Sequence, residues 1–150
     1  MEISVAAPQH ILLVEDSAGD VRLTQEAFHD ANPSVSIHVV RDGVEAIAFL
    51  RREDSYQDSP RPDLILLDLN LPRMDGRQVL AIIKGDEDLR TIPTVILTTS
   101  EAEADISMSY QLRANCYLSK PVQFGDFEEL VKSINDFWMT MVKLPHPGAN

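Results

Sequence analysis

The chain has 150 residues, 44% of them hydrophobic, which is the size and apolar content of one ordinary folded domain. Its formal net charge of -11, with scattered Lys and Arg, argues against a nucleic-acid-binding protein, because phosphate contacts need clustered cations. A single cysteine, Cys116, excludes an internal disulfide, and neither a signal peptide nor a membrane-spanning run is present, so we expect a soluble cytoplasmic protein without a membrane partner.

Short β-rich segments alternate with helical patterns along the chain, which is typical of βαβ units. An α/β fold with a parallel sheet is therefore predicted. Five strands are expected, at about residues 10–15, 35–40, 63–68, 93–98 and 114–118.

Capping residues mark the starts of the first two helices. Ser17 with Asp20, and Asp42 with Glu45, have the spacing of a capping box. Gly76 opens a third helix, and a fourth is expected at about 102–110. The last helix has apolar residues at three- and four-residue spacing, namely Phe127, Leu130, Val131, Ile134, Phe137, Trp138 and Met141.

Three segments fall outside this pattern. Residues 53–62 are polar and contain proline, which predicts an exposed loop. Residues 1–8 and 143–150 are predicted to be flexible ends, which leaves 9–142 as the folded domain.

Acidic residues stand where two apolar strands end. Asp68 closes the run 64–67, and Glu15 and Asp16 close the run 11–14. The carboxyl ends of parallel strands meet at one edge of a sheet, so these acids should converge and repel one another unless a divalent cation joins them. Each acid taken singly could equally be a solvated turn residue or a helix cap.

Thr98 and Lys120 follow the next two strands and should reach the same edge. Alone, Thr98 reads as a β-branched strand residue and Lys120 as a surface charge. Together with the acids they supply a cation site, a hydroxyl and an ammonium around one carboxylate. These are the components that stabilise phosphoryl transfer to a carboxylate.

With these residues in place, the chain resembles a response-regulator receiver domain of two-component systems over residues 9–140. The resemblance implies a doubly wound, flavodoxin-like sheet of order 2-1-3-4-5 with helices on both faces. It also implies that Asp68 accepts a phosphoryl group from a histidine kinase. Such a protein catalyses only its own phosphorylation and slow dephosphorylation, so it is not an enzyme with a separate substrate.

The resemblance implies a Mg²⁺ cofactor. Asp68 and Asp16 resemble direct metal ligands, and Glu15 resembles one that acts mainly through water. Asn70 resembles the residue whose backbone carbonyl completes the protein's share. So few protein ligands agree with Mg²⁺, which usually keeps several waters.

Three further roles follow from the resemblance. Thr98 resembles the switch hydroxyl, and Lys120 resembles the phosphate-pairing lysine, with a cis peptide expected before Pro121. Tyr117 resembles the switch aromatic that swings inward when Thr98 moves; the alternative is a half-buried strand aromatic with a hydroxyl in water. Arg113 stands where the family often has glycine.

The segment 14–23 and the loop 53–62 are similar to stand-alone regulators encoded with cyanobacterial and bacterial phytochromes. This narrower resemblance implies that the phosphodonor is the phosphohistidine of a light-sensing kinase.

Two other classes share parts of this pattern. Haloacid-dehalogenase-like hydrolases also use an aspartyl phosphate, but their nucleophile lies on the first strand and an Asp follows two residues later, where this chain has Asn70. A degenerate receiver, acting only as a binding module, would have lost some of the site residues, and all are present.

The signal is expected to leave through a surface, because no helix-turn-helix pattern follows residue 142. The face made by helix 4, strand 5 and helix 5 is the candidate, since Phe137, Trp138, Met139, Met141 and Val142 cannot all point to the core. Homodimerisation is the first expectation and kinase docking the second. The alternative is that the tail folds back over these side chains.

Overall fold

A computed structural model describes residues 9–145, so residues 1–8 and residues 146–150 of the predicted C-terminal tail 143–150 lie outside it. Strands and helices alternate as predicted: β1 (Gln9–Val14), α1 (Ala18–Ala31), β2 (Val35–Val40), α2 (Gly43–Arg51), β3 (Leu64–Leu67), α3 (Gly76–Gly85), β4 (Thr94–Thr98), α4 (Glu103–Gln111), β5 (Cys116–Ser119) and α5 (Phe124–Ile134). A 3₁₀ turn (Asp54–Tyr56) and a π-helical segment (Asn135–Met141) complete the described chain. None of the helices within 9–145 is long and apolar enough to cross a membrane.

The strands form one parallel sheet of order β2-β1-β3-β4-β5, which confirms the expected topology. Val14 pairs with Leu67, so β1 and β3 end level with each other. Thr98 pairs with Ser119 at the other side of the sheet, so β4 and β5 end level with each other, and β5 ends one residue before Lys120. The register therefore brings the residues that follow all four strands to one edge.

Both faces of the sheet are covered by helices. Successive strand residues point to opposite faces, and in a parallel sheet both faces are buried, which explains why the strands are continuous apolar runs. One layer packs α2 and α3 on Leu12, Val14, Ile65, Leu67 and Ile96; the other packs α1 and α5 on Ile11, Leu13, Leu64, Leu66, Val95 and Leu97.

The predicted capping boxes are half right. Ser17 and Asp42 both accept a hydrogen bond from the backbone amide three residues on, as expected. The reciprocal bond is replaced in the first case, where the Ser17 amide donates to Glu15 Oε2. The complete capping box opens α3, where Asp75 caps the backbone and its own amide donates to Gln78 Oε1 at 3.1 Å.

The last helix changes its winding at Asn135. The Val142 amide donates to the Phe137 carbonyl five residues back, at 2.9 Å, so this turn is wider than an α-helical one. The Asn135 side chain is buried and accepts a hydrogen bond from Asn32 Nδ2 at 3.1 Å. Apolar spacing predicted the buried face correctly up to Ile134, but beyond it Phe137 and Met141 are exposed and Met139 is buried. The spacing of residues does not report which carbonyl each amide reaches, so the wider turn could not be predicted.

Two loops bear on earlier expectations. The segment 53–62 is largely exposed, as predicted, although Tyr56 packs on the core and its hydroxyl donates to Glu45 Oε1 at 2.9 Å. Arg113 adopts a φ of 71°, in the left-handed region that favours glycine. This conformation agrees with the family's frequent use of glycine at that position.

Gly76 should tolerate no side chain, because α3 begins in contact with the backbone that follows β3. A Cβ there would lie 2.1 Å from the Asp68 carbonyl oxygen and 2.6 Å from the Leu69 Cα. We expect Gly76→Ala to lower the free energy of unfolding by about 2–3 kcal/mol, because neither backbone atom can move away easily.

Urea unfolding measures this loss, and Gly85→Ala is the matched control in the same helix. A Cβ at Gly85 meets nothing within 4 Å. That variant should be neutral or more stable by up to about 1 kcal/mol. Equal losses in both variants would contradict the steric explanation.

Candidate functional site

The site lies at the carboxyl edge of the sheet and is anchored by backbone hydrogen bonds between neighbouring strands. The Glu15 amide donates to the Val40 carbonyl at 3.0 Å, and the Asp68 amide donates to the Val14 carbonyl at 3.1 Å. Glu15, Asp68, Thr98 and Lys120 are all buried. Sequence reasoning placed them at one edge, and the structure brings all four together.

Asp68 is held through both of its carboxylate oxygens. Oδ1 accepts hydrogen bonds from the Thr98 hydroxyl at 2.7 Å and from the Asn70 amide at 3.1 Å. Oδ2 accepts from Lys120 Nζ at 2.9 Å. These contacts fix the orientation of the carboxylate before any ligand arrives.

Lys120 joins three carboxylates. Its Nζ donates to Asp20 Oδ2 at 2.9 Å, to Asp68 Oδ2 at 2.9 Å and to Glu15 Oε1. The Lys120 side chain is 4% exposed. A buried ammonium with an acceptor for each of its three protons meets the condition under which a buried charge is tolerated.

The buried charges change one another's pKa values. Burial alone would raise the pKa of Asp68, but the Lys120 ammonium, the Asn70 amide and the Thr98 hydroxyl outweigh it and lower that pKa. Burial would lower the pKa of Lys120, but Glu15, Asp68 and Asp20 outweigh it and raise that pKa. Burial raises the pKa of Glu15, which Lys120 only partly offsets. Asp68 is therefore ionised at neutral pH and paired with a charged lysine.

Asp20 is a site residue that sequence reasoning missed. Its position three residues after Ser17 suggested helix capping, and its backbone amide does donate to Ser17 Oγ at 3.3 Å. Its side chain, however, faces the pocket and pairs with Lys120. Asp16, which the resemblance makes a direct metal ligand, is exposed beside the pocket.

The carboxylate oxygens of the site are ligand atoms that suit a hard divalent cation, although in this structure they surround the Lys120 ammonium. Carboxylates of Glu15, Asp20 and Asp68 already converge on one positive charge, and oxygen is the ligand atom that Mg²⁺ and Mn²⁺ prefer. Within residues 9–145, no three acid, His or Cys side chains lie so that they could share a metal ion, and these three carboxylates, paired with Lys120, are no exception. Binding a divalent cation would require these acids to give up part of their pairing with Lys120.

Tyr117 is tied to the loop that follows β4. Its hydroxyl donates to the Ser100 carbonyl at 3.0 Å, and its ring is half-buried against the α2–α3 layer. The ring is therefore a half-buried strand aromatic, as the alternative expected, while its hydroxyl has a backbone partner. Ser100 lies two residues after Thr98, so Tyr117 and Thr98 are joined through one short stretch of backbone.

The cis peptide expected before Pro121 is not found. Every peptide bond within the described residues is trans, including the one between Lys120 and Pro121. The trans isomer is the lower-energy form of such bonds by about 0.5–1 kcal/mol, so the local sequence alone does not favour cis.

Residues 11–135 match the family model described as the response regulator receiver domain. The chain is 50% identical over 138 residues to the response regulator Rcp1 of Synechocystis sp., covering 92% of this chain and 94% of that protein. It superposes on the phosphorylated cyanobacterial phytochrome response regulator RcpA with a TM-score of 0.91 at 48% identity, over 93% of this chain and 100% of that one. It superposes on the Mn²⁺-bound form of Rcp1 with a TM-score of 0.89 at 50% identity, over 93% of this chain and 100% of that one.

We expect Lys120→Met to lower the free energy of unfolding at pH 7 by about 3–5 kcal/mol, because it leaves buried carboxylates without their cation. Chemical unfolding monitored by circular dichroism measures this. Lys132→Met, at an exposed position on α5, should change the value by less than about 0.5 kcal/mol. A Lys120 variant as stable as wild type would show that the acids do not depend on this ammonium.

Proposed function

The chain belongs to the response regulator receiver domain family, and from that premise we propose that Asp68 accepts a phosphoryl group from a sensor histidine kinase. The observation that carries the proposal is the buried, ionised Asp68 carboxylate, with a hydroxyl on one oxygen and an ammonium on the other. The protein's chemistry would then be confined to its own phosphorylation and slow dephosphorylation.

The reaction needs an ionised carboxylate as nucleophile. One Asp68 oxygen forms a bond to phosphorus as the donor's phosphorus–nitrogen bond breaks, and the released imidazole nitrogen is left to take up a proton. The lowered pKa of Asp68 keeps it in the reactive form at neutral pH. The product is an acyl phosphate on Asp68.

Thr98 and Lys120 supply donors for the charge that spreads over the phosphoryl oxygens. Both already contact Asp68, so each needs to shift only from a carboxylate oxygen to a phosphoryl oxygen. Lys120 must give up at least part of its pairing with Glu15 and Asp20 to do so.

A divalent cation, Mg²⁺ by preference, would be held by Asp16, Glu15, Asp68 and the backbone carbonyl of Asn70. When bound, it neutralises phosphoryl charge and joins the carboxylates that otherwise repel one another. The Mn²⁺-bound form of Rcp1 supports a divalent site in this family. Asp20, which pairs with Lys120, would add a further carboxylate beside these ligands.

The kinase that we propose is a phytochrome or a related light-sensing histidine kinase. This proposal rests on similarity to RcpA, a cyanobacterial phytochrome response regulator. At 48% identity, 93% of this chain matches all of RcpA.

Thr98 and Tyr117 are proposed to form the conformational switch. When the Thr98 hydroxyl shifts from Asp68 Oδ1 to a phosphoryl oxygen, the backbone through Ser100 would shift with it. The hydrogen bond from the Tyr117 hydroxyl to the Ser100 carbonyl would then break, and the ring would be free to move inward.

Homodimerisation through the face formed by α4, β5, α5 and the π-helical segment is the proposed output. Two of the expected apolar side chains on the last segment, Phe137 and Met141, are exposed, whereas Met139 is buried and Trp138 is half-buried. Tyr110, Val122 and Phe124 are also more than half exposed. Exposed apolar groups in such number favour association.

We expect wild-type protein incubated with acetyl phosphate and Mg²⁺ to gain the mass of one phosphoryl group, and Asp68→Asn to gain none, because the amide cannot be the nucleophile. Intact-mass spectrometry measures the change. A chelator should abolish labelling, and Asp58→Asn, in the exposed loop, should label like wild type. Equal labelling of Asp68→Asn at another residue would contradict the assignment.

We expect phosphorylation to raise the sedimentation coefficient toward that of a dimer at tens of micromolar protein. Phe137→Ser or Met141→Ser should reduce this association by roughly tenfold or more, because each removes an exposed apolar anchor. Val44→Ser, at an exposed position on α2, is the control and should associate normally. A wild-type protein that stays monomeric in both states would contradict the dimer.

A further inference from the structure

A network of charged side chains ties the start of α4 to the start of α3. The Arg77 guanidinium, in the first turn of α3, donates from Nε to Asp105 Oδ1 and from Nη2 to Asp105 Oδ2, both at 2.8 Å. The same guanidinium donates from Nη1 to Asp75 Oδ2 at 2.9 Å. The paired contact with Asp105 is the fork geometry that makes Arg–carboxylate bonds strong and directional.

Asp105 carries this contact on to the loop that follows β4. Ser100 Oγ donates to Asp105 Oδ2 at 2.6 Å, and the Ala102 amide donates to Ser100 Oγ at 3.3 Å. Hydrogen bonds from Arg77, and then from Ser100, lower the pKa of Asp105 to about 2. Ser100 lies two residues after Thr98. The Arg77–Asp105 ion pair is therefore connected to Thr98 through the Ser100 side chain and a short stretch of backbone.

Little else holds the first turn of α4. Its N-cap residue, Ala102, has no side chain that could accept a hydrogen bond. Ser109 is the one fully buried residue of this helix, and within residues 9–145 its hydroxyl has no hydrogen-bond partner. By comparison, α3 buries Val79, Leu80 and Ile83 in the core. Polar contacts, rather than apolar packing, therefore position α4.

We infer that Arg77 is a positioning residue which, through Asp105, holds the β4–α4 loop and α4 in the unphosphorylated arrangement. The contact sets how readily the loop follows Thr98 when Asp68 is phosphorylated. This inference rests on the function proposed above for Asp68. Exposed ion pairs usually contribute little, but here Arg77 is 32% and Asp105 16% exposed, and the contact is bidentate and shared with Ser100.

The energetic reasoning is that of a two-state equilibrium. A contact that exists only in the resting arrangement lowers the population of the rearranged one. Removing it makes the rearranged loop more accessible, so both local opening of α4 and phosphorylation of Asp68 should become faster.

The test compares Asp105→Asn and Arg77→Gln with Asp105→Glu, which keeps the charge, and with Arg73→Gln as a control. Arg73 forms a different ion pair, with Asp42 at the start of α2, at 3.3 Å. Amide hydrogen exchange of the unphosphorylated proteins is measured across all elements. Labelling of Asp68 by acetyl phosphate with Mg²⁺ is followed separately by intact mass.

The expected result is exchange about tenfold faster over residues 100–111 in Asp105→Asn and Arg77→Gln, with the other elements unchanged. Labelling of Asp68 should be several-fold faster in the same two variants. Asp105→Glu should recover at least part of both effects, and Arg73→Gln should match wild type.

Three results would overturn the inference: unchanged exchange in α4, an increase spread evenly over the whole fold, or faster α4 exchange with an unchanged labelling rate. Failure of the proposed function is distinguishable, because then no protein labels at Asp68, including wild type. In that case the coupling to phosphorylation falls with it, and the exchange data still decide whether Arg77 holds α4.

Discussion

The ammonium of Lys120 is the charge around which the carboxyl edge of the sheet is arranged. The register of β1 with β3 fixes where Glu15 and Asp68 emerge, and the first turn of α1 adds Asp20, so the backbone cannot spread the three carboxylates apart. Buried carboxylates this close would otherwise force a proton onto one of them. In a chain with a net charge of -11, the arrangement depends on a cation at this point, and in this structure the protein supplies it.

Because of this dependence, the proposed phosphorylation of Asp68 would exchange hydrogen-bond partners rather than create an isolated charge. Once one Asp68 oxygen became the bridging oxygen of an acyl phosphate, it would lose most of its ability to accept hydrogen bonds, and its donor would turn to the phosphoryl oxygens. The two donors, Thr98 and Lys120, end β4 and follow β5, which are neighbouring strands. Both strands lead to the loop contacts of Ser100, through Thr98 on one side and Tyr117 on the other. A change of hydrogen-bond partners at Asp68 would therefore affect the loop after β4 in two ways, through Thr98 and through Tyr117.

The fold and the heart of the site follow from patterns that the sequence carries openly. All five strands lie within two residues of their predicted bounds, and the parallel topology then places Asp68, Thr98 and Lys120 at one edge. Asp20 was missed because a carboxylate three residues after a serine has the same spacing whether it serves the helix or faces the pocket. The pair Arg77–Asp105 joins two helices through residues 28 apart, and no period of the chain encodes such a contact. The prediction of a cis peptide before Pro121 was wrong because the choice of isomer depends on the tertiary surroundings.

The buried hydroxyl of Ser109 destabilises the position that α4 occupies in this structure. Within residues 9–145 this hydroxyl has no hydrogen-bond partner, and removing an unpaired hydroxyl from water costs roughly 1–3 kcal/mol, which α4 bears in the arrangement described here. Any displacement of the helix that gives the hydroxyl an acceptor recovers this free energy. The amount is similar to the free energy that typically couples two distant sites in an allosteric protein, about 1–3 kcal/mol. The unpaired hydroxyl of this one serine thus lowers the free energy needed to move α4.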